Sequence, residues 1–117
     1  MAQPPTGKFE GRVWWMDRPT NRADHLWVRD ILVSSSRISF DLPDHGDGNT
    51  VAVGLTPVTN GQPSWTGTYR YTMTQSVGDI DARMYMSVDD CIVLAGMWKE
   101  DGKELDWFVE MSPQPGS

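Results

Sequence analysis

Residues 91–112 read CIVLAGMWKEDGKELDWFVEMS. At the centre of this stretch Asp101-Gly102 separates two strand-like runs. The pair suits a two-residue type I′ turn, because both central positions of that turn need positive φ and Asp and Gly tolerate it. Such a turn sets Glu100 opposite Lys103. It then pairs Trp98 with Leu105, Gly96 with Trp107, Leu94 with Val109 and Ile92 with Met111, all apolar. The opposite face pairs Lys99 with Glu104, Met97 with Asp106, Ala95 with Phe108 and Val93 with Glu110, mixed in character and charged towards the turn. A one-residue slip would scatter both sets, so the register is strongly specified. A glycine inside a strand marks a bend or a close approach, and Gly96 is expected to make room for the Trp107 indole on the inner face.

The same period of two recurs along the chain. Strands are expected over about 8–17 (Phe9, Gly11, Val13 and Trp15 inward), 25–35, 37–42 (Ile38, Phe40, Leu42 inward), 50–58 (Val51, Val53, Leu55 inward), 64–75 (Trp65, Gly67, Tyr69, Tyr71, Met73 inward) and 79–88 (Ile80, Ala82, Met84, Met86, Val88 inward). In the second strand Leu26 and Val28 are one residue out of phase with Ile31 and Val33, which a β-bulge near Arg29-Asp30 reconciles. Polar connections are expected at Asp17–Asp24, at 43–49 and around Asn60-Gly61. A three-residue loop, Asp89-Asp90-Cys91, keeps the sixth and seventh strands in phase. It predicts an inner row Met84–Gly96–Trp107 and an outer row Tyr85–Ala95–Phe108. Together with the hairpin this makes an all-β chain of eight strands joined by short links. An antiparallel up-and-down meander of that size closes as a barrel; a two-sheet β-sandwich is the alternative.

At 117 residues the chain is expected to be a single domain, with loose tails at about 1–7 and 112–117 rich in Pro, Gly, Ser and Gln. A formal net charge of −6 opposes nucleic-acid binding, which needs a basic footprint. The charge is uneven: residues 79–117 hold nine acidic and three basic side chains, against seven of each in residues 1–78. The outer face of the last three strands is therefore acidic. A single cysteine, Cys91, excludes an internal disulfide. The opening MAQPPTGK lacks the apolar core of a signal peptide, and no run has the length of a transmembrane helix. Cytoplasmic location and no membrane partner are the corresponding expectations.

Six tryptophans, three tyrosines and seven methionines are a heavy load for this length. The predicted faces collect Trp15, Trp65, Tyr69, Tyr71, Met84, Trp98 and Trp107 inside. As pure core they fill the barrel. A buried tyrosine hydroxyl needs a partner, however, and an aromatic cavity with a few polar groups is how small-molecule pockets are built. These seven residues are the candidate lining for a small apolar ligand. The outer row Tyr85, Ala95 and Phe108 is the candidate contact surface for a partner or a second copy of the chain.

Other constellations carry less. The loop from Asp41 to Asn49 resembles a calcium loop superficially, yet the position of the bidentate Glu, counted from Asp44, is Leu55. His25 and His45 lack the spacing of a zinc site, and Asp24-His25 is no triad. Cys91 falls in a turn, with no special reactivity indicated. Arg12 and Arg70 fall on the outer phase, and Arg29 falls at the bulge. With no phosphate loop or nucleophile elbow, an enzyme is disfavoured, and no metal or cofactor is expected.

The eight-strand meander over about 8–111, with Gly11 and Trp14-Trp15 on its first strand, resembles the calycin group of small barrels: lipocalins, fatty-acid-binding proteins and avidins. Gly11-Arg-Val-Trp14 is one residue longer than the lipocalin Gly-x-Trp, and Asp106-Trp107-Phe108-Val109 lacks the avidin Leu-Thr ending. The resemblance implies a barrel with a ligand in its mouth and assigns no binding residue.

Overall fold

Asp101 and Gly102 both take positive φ, 50° and 78°, as a type I′ turn requires. Every pair that follows from this turn is present, from Glu100↔Lys103 to Ile92↔Met111. The structure, a computed structural model, describes residues 6–43, 48–59 and 61–115. Its strands are β1 (Gly7–Asp17), β2 (Arg22–Val33), β3 (Ile38–Leu42), β4 (Val51–Pro57), β5 (Ser64–Tyr71), β6 (Val77–Met86), β7 (Ile92–Glu100) and β8 (Lys103–Pro113). Each pairs antiparallel with the next. β1 also pairs with β8 from Phe9↔Pro113 to Met16↔Asp106. The sheet is thus a closed barrel, not a sandwich.

Period-two alternation sends one side chain of each consecutive pair inward. The buried set runs through all eight strands, among them Phe9, Val13, Ile31, Ile38, Leu55, Ile92, Leu94, Trp98, Trp107 and Val109. The expected bulge is present: Phe9 pairs with Ile31 but Gly11 with Val28, so Arg29 and Asp30 together oppose Glu10. Asp30 sits at φ 58°, and Ile31 and Val33 return to the buried face.

Several boundaries differ from expectation. The first connection is only residues 18–21, because β1 continues to Asp17 and β2 starts at Arg22. Asn21, at φ 58°, turns the chain there. β5 ends at Tyr71, so Met73 lies in the next turn and is 66% exposed. Val88 lies past β6 and is 99% exposed. In both cases the apolar alternation continues after the chain has left the sheet. Strand pairing also continues past Met111: β8 runs to Pro113, and Gln114 Nε2 donates to Asp30 Oδ1 at 2.9 Å while its N–H donates to Lys8 O at 2.9 Å.

The β6–β7 register is offset by two residues from the expected one. Met84 pairs with Leu94, Tyr85 with Val93 and Met86 with Ile92. The three-residue loop is Val88–Asp89–Asp90, one residue earlier than predicted. Ser87 N–H donates to Cys91 O at 2.9 Å, the Ser87 hydroxyl accepts from Cys91 N–H at 3.2 Å, and Asp90 takes φ 61°. An offset of two preserves the faces and changes the rows. Met84–Leu94–Val109 is an inner row, so Met84–Gly96–Trp107 is not formed. The outer row Tyr85–Ala95–Phe108 is not formed either: Ala95 faces Phe108 but has Arg83 on its other side. Gly96 admits the Asp81 backbone, whose oxygen a Cβ would strike. The Trp107 indole then donates to that same carbonyl at 2.8 Å.

Candidate functional site

The ends of β1, β3, β5 and β7 and the starts of β2, β4, β6 and β8 share one rim of the barrel. Below this rim lies a cavity of about 610 Å³, within the size range of small-molecule sites. Trp15, Leu26, Leu42, Val51, Tyr71, Trp98 and Leu105 form its apolar wall, and Asp17, Thr20, Arg22, Asp24, Asn49 and Glu100 are its polar lining. The opposite half of the barrel is filled by buried side chains such as Phe9, Ile38, Leu55, Ile92 and Met111. The calcium-like loop with Asp44, His45 and Asp47 lies outside the described residues.

The floor is an aromatic chain drawn from four strands. Trp15 meets Trp98 edge-on at 5.5 Å, and Tyr69 stacks on Trp98 at 4.2 Å with 9° between planes. Tyr71 meets Tyr69 edge-on at 5.8 Å, and Trp107 meets Trp98 at 5.6 Å. Edge-to-face and offset contacts follow the ring quadrupoles. They also lock these side chains against one another.

Glu100 is the polar centre. Its Oε1 accepts from the Tyr71 hydroxyl at 2.6 Å and from Trp98 Nε1 at 3.1 Å. Tyr69 instead donates to Lys99 O and passes over Gly78, where a Cβ would collide with the phenol. A second cavity of about 550 Å³ opens beside this tyrosine, between β5–β6 and β7–β8; Asn49, Tyr71 and Glu100 line both cavities.

Both phenols are held neutral well above the ordinary range near pH 10. Burial is the leading cause for each. It pushes Tyr69 up to about 12, with help from the Glu100 charge; in Tyr71 the hydrogen bond to Glu100 adds to it. A folded pKa above the unfolded one stabilises the protein fully below the unfolded pKa and loses that contribution as pH rises. The thermal midpoint should therefore fall above about pH 10. Tyr71→Phe should show a smaller alkaline fall, followed by circular dichroism. An equal fall in both proteins would contradict the assignment.

Of the residues singled out in the sequence, Trp15, Tyr71 and Trp98 come together on the cavity wall. Tyr69 and Trp107 support Trp98 from behind. Trp65 and Met84 are buried and line neither of the two cavities. Glu100 was not singled out, although its phase is that of Ile92, Leu94 and Trp98. Asp24 likewise shares the phase of Leu26. Their parity was the available signal.

No protein-family model, curated protein or solved structure matches the chain. The architecture itself, a closed barrel of eight antiparallel strands, agrees at that coarse level with a calycin-like fold.

On the outside, closure of β1 on β8 builds an aromatic cluster absent from the sequence reading. Trp14 stacks on Phe108 at 6.0 Å and meets His25 at 4.5 Å. Trp14 Nε1, like Trp65 Nε1, is buried without a hydrogen-bond partner among the described residues. The neighbouring outer row is Trp27–Arg12–Glu110–Val93–Tyr85, with Trp27 51% and Tyr85 53% exposed.

Proposed function

We propose that this protein is a non-enzymatic small-molecule-binding barrel that holds its ligand in the rim cavity. The observation that supports this is the combination of an apolar wall containing Trp15, Trp98 and Tyr71 with a carboxylate, Glu100, that accepts hydrogen bonds from two of those side chains. Apolar surface supplies affinity, and a few fixed polar groups orient the ligand. The locked aromatic floor limits the ordering cost on binding. Binding of 2-phenylethanol, followed by quenching of tryptophan fluorescence and by calorimetry, tests the reading. Trp15→Ala should weaken it by about tenfold, the loss expected when an apolar wall worth roughly 1.5 kcal/mol is removed. No detectable binding by the unaltered protein, or an unchanged affinity in the variant, would reject this function.

A second reading is favoured by the exposed Trp27 and Tyr85 beside the Trp14–Phe108 cluster: the outer face of β2, β1, β8 and β7 as the contact between two copies of the chain. Arg12 and Glu110 are adjacent in the same row, so a two-fold arrangement sets opposite charges against each other. Sedimentation should then show a dimer that Phe108→Lys converts to a folded monomer. A monomer at all concentrations removes this reading.

A further inference from the structure

We infer that the rim cavity selects an organic cation, an apolar ring compound carrying a primary ammonium group. This rests on the small-molecule reading above and concerns the charge of the ligand. Glu100 ends β7 and lines the rim cavity at the boundary it shares with the second cavity, and both of its donors, the Tyr71 hydroxyl and Trp98 Nε1, fall on Oε1. Among the described residues no donor reaches Oε2. The carboxylate is therefore fixed in position, with one oxygen available to a ligand N–H. Fixing it costs the ligand nothing at the moment of binding.

The surrounding charge has the same sign. Asp24 on β2 and Asp17 at the end of β1 also line the cavity, and Arg22 is the one cation among the described lining residues. A ligand carboxylate would meet like charge. A neutral ligand lacking a donor would displace water from Oε2 and leave an acceptor unsatisfied, and an alcohol would restore the hydrogen bond without a compensating charge. An ammonium group supplies a charge-assisted hydrogen bond. Trp15 and Tyr71 line the same cavity, and a cation that reaches the face of either ring is attracted by its quadrupole. The apolar part of such a ligand has Leu26, Val51 and Leu105 to pack against.

The test compares three compounds with the same ring: 2-phenylethylamine, 2-phenylethanol and 3-phenylpropionate, titrated into the full chain by calorimetry. The amine should bind about tenfold more tightly than the alcohol, the low end of what a hydrogen bond to a charged group contributes, and the acid most weakly. Glu100→Gln keeps an Oε1 acceptor for Tyr71 and Trp98 and removes the charge. In that variant the amine-to-alcohol ratio should fall to within about twofold. If amine and alcohol bind alike in the unaltered protein, or the ratio survives in the variant, the charge selectivity is wrong while alcohol binding still supports the pocket. If none of the three binds, the small-molecule reading falls and this inference falls with it.

Discussion

Gly11→Ala should destabilise the barrel by roughly 4 kcal/mol, a loss large enough to signal a specific steric cause. A Cβ at Gly11 would lie well inside 3.0 Å of the Glu110 carbonyl carbon and oxygen and of the Met111 Cα. All three are backbone atoms, and none can rotate away as a side chain can. They belong to β8, and Gly11 pairs with Met111 in the seam that closes the barrel. Relief of the clash therefore requires β1 and β8 to part. Parting exposes unpaired ladder groups on both strands, and those are costly away from water. Gly54→Ala is the internal control. The atoms met there belong to the Arg37 guanidinium, the nearest at 2.7 Å, at the end of a flexible side chain that can swing aside. Its cost should stay below about 1 kcal/mol, since alanine also restricts the unfolded chain. Urea unfolding of both variants measures the difference. Equal midpoints would show that the β1–β8 approach is not the tight point of the fold.

Trp98→Ala is the second large effect, with an expected loss of about 3–5 kcal/mol. Trp98 is 2% exposed and touches Trp15, Tyr69 and Trp107. Truncation leaves a void that four strands cannot jointly close, because their spacing is set by the ladder hydrogen bonds. It also frees the Tyr69 ring and removes a donor from Glu100. Trp98→Phe retains a ring for Tyr69 to stack on and lacks the N–H. Its cost should be nearer 2 kcal/mol. Near-ultraviolet circular dichroism should weaken far more in the alanine variant, as it reports the locked ring contacts. A loss below about 1 kcal/mol for Trp98→Ala would be the size of a surface substitution and would mean that the aromatic chain is not a structural unit.

Ligand binding should follow the same residues in a different order. Trp15 is partly exposed in the cavity, so its removal acts on affinity more than on folding. Trp98 acts on folding first, because its ring forms the layer beneath.

The parts of this architecture that were legible in the chain share one property: they depend on contacts between neighbours. The Asp101-Gly102 turn forces positive φ at two adjacent residues, and from it every pair of the last hairpin follows. Alternation placed Phe9, Val13, Val53, Ile80 and Leu94 inside because side chains on a strand point to opposite faces in turn. The phase break between Val28 and Ile31 located the bulge. The misreadings have local causes as well. Met73 and Val88 continue an apolar rhythm beyond the last paired residue. The β6–β7 loop moved by one residue because the Ser87 hydroxyl and the left-handed Asp90 close it there, and two loop placements of equal parity look alike in sequence.

Other features required the closed structure. The seam of β1 with β8 joins segments about as distant along the chain as it allows, and its register is the sum of every stagger around the sheet. That sum places Trp14 against Phe108 on the outside. The rim brings Tyr71 of β5 to Glu100 of β7, and it puts Trp15 and Asp24 beside them. Alternation could say that Glu100 faces inward. Only closure, with its fixed strand tilt and circumference, decided that an inward residue at the end of β7 looks into an open cavity while an inward residue towards the far end of β6, such as Met84, is buried in packed core.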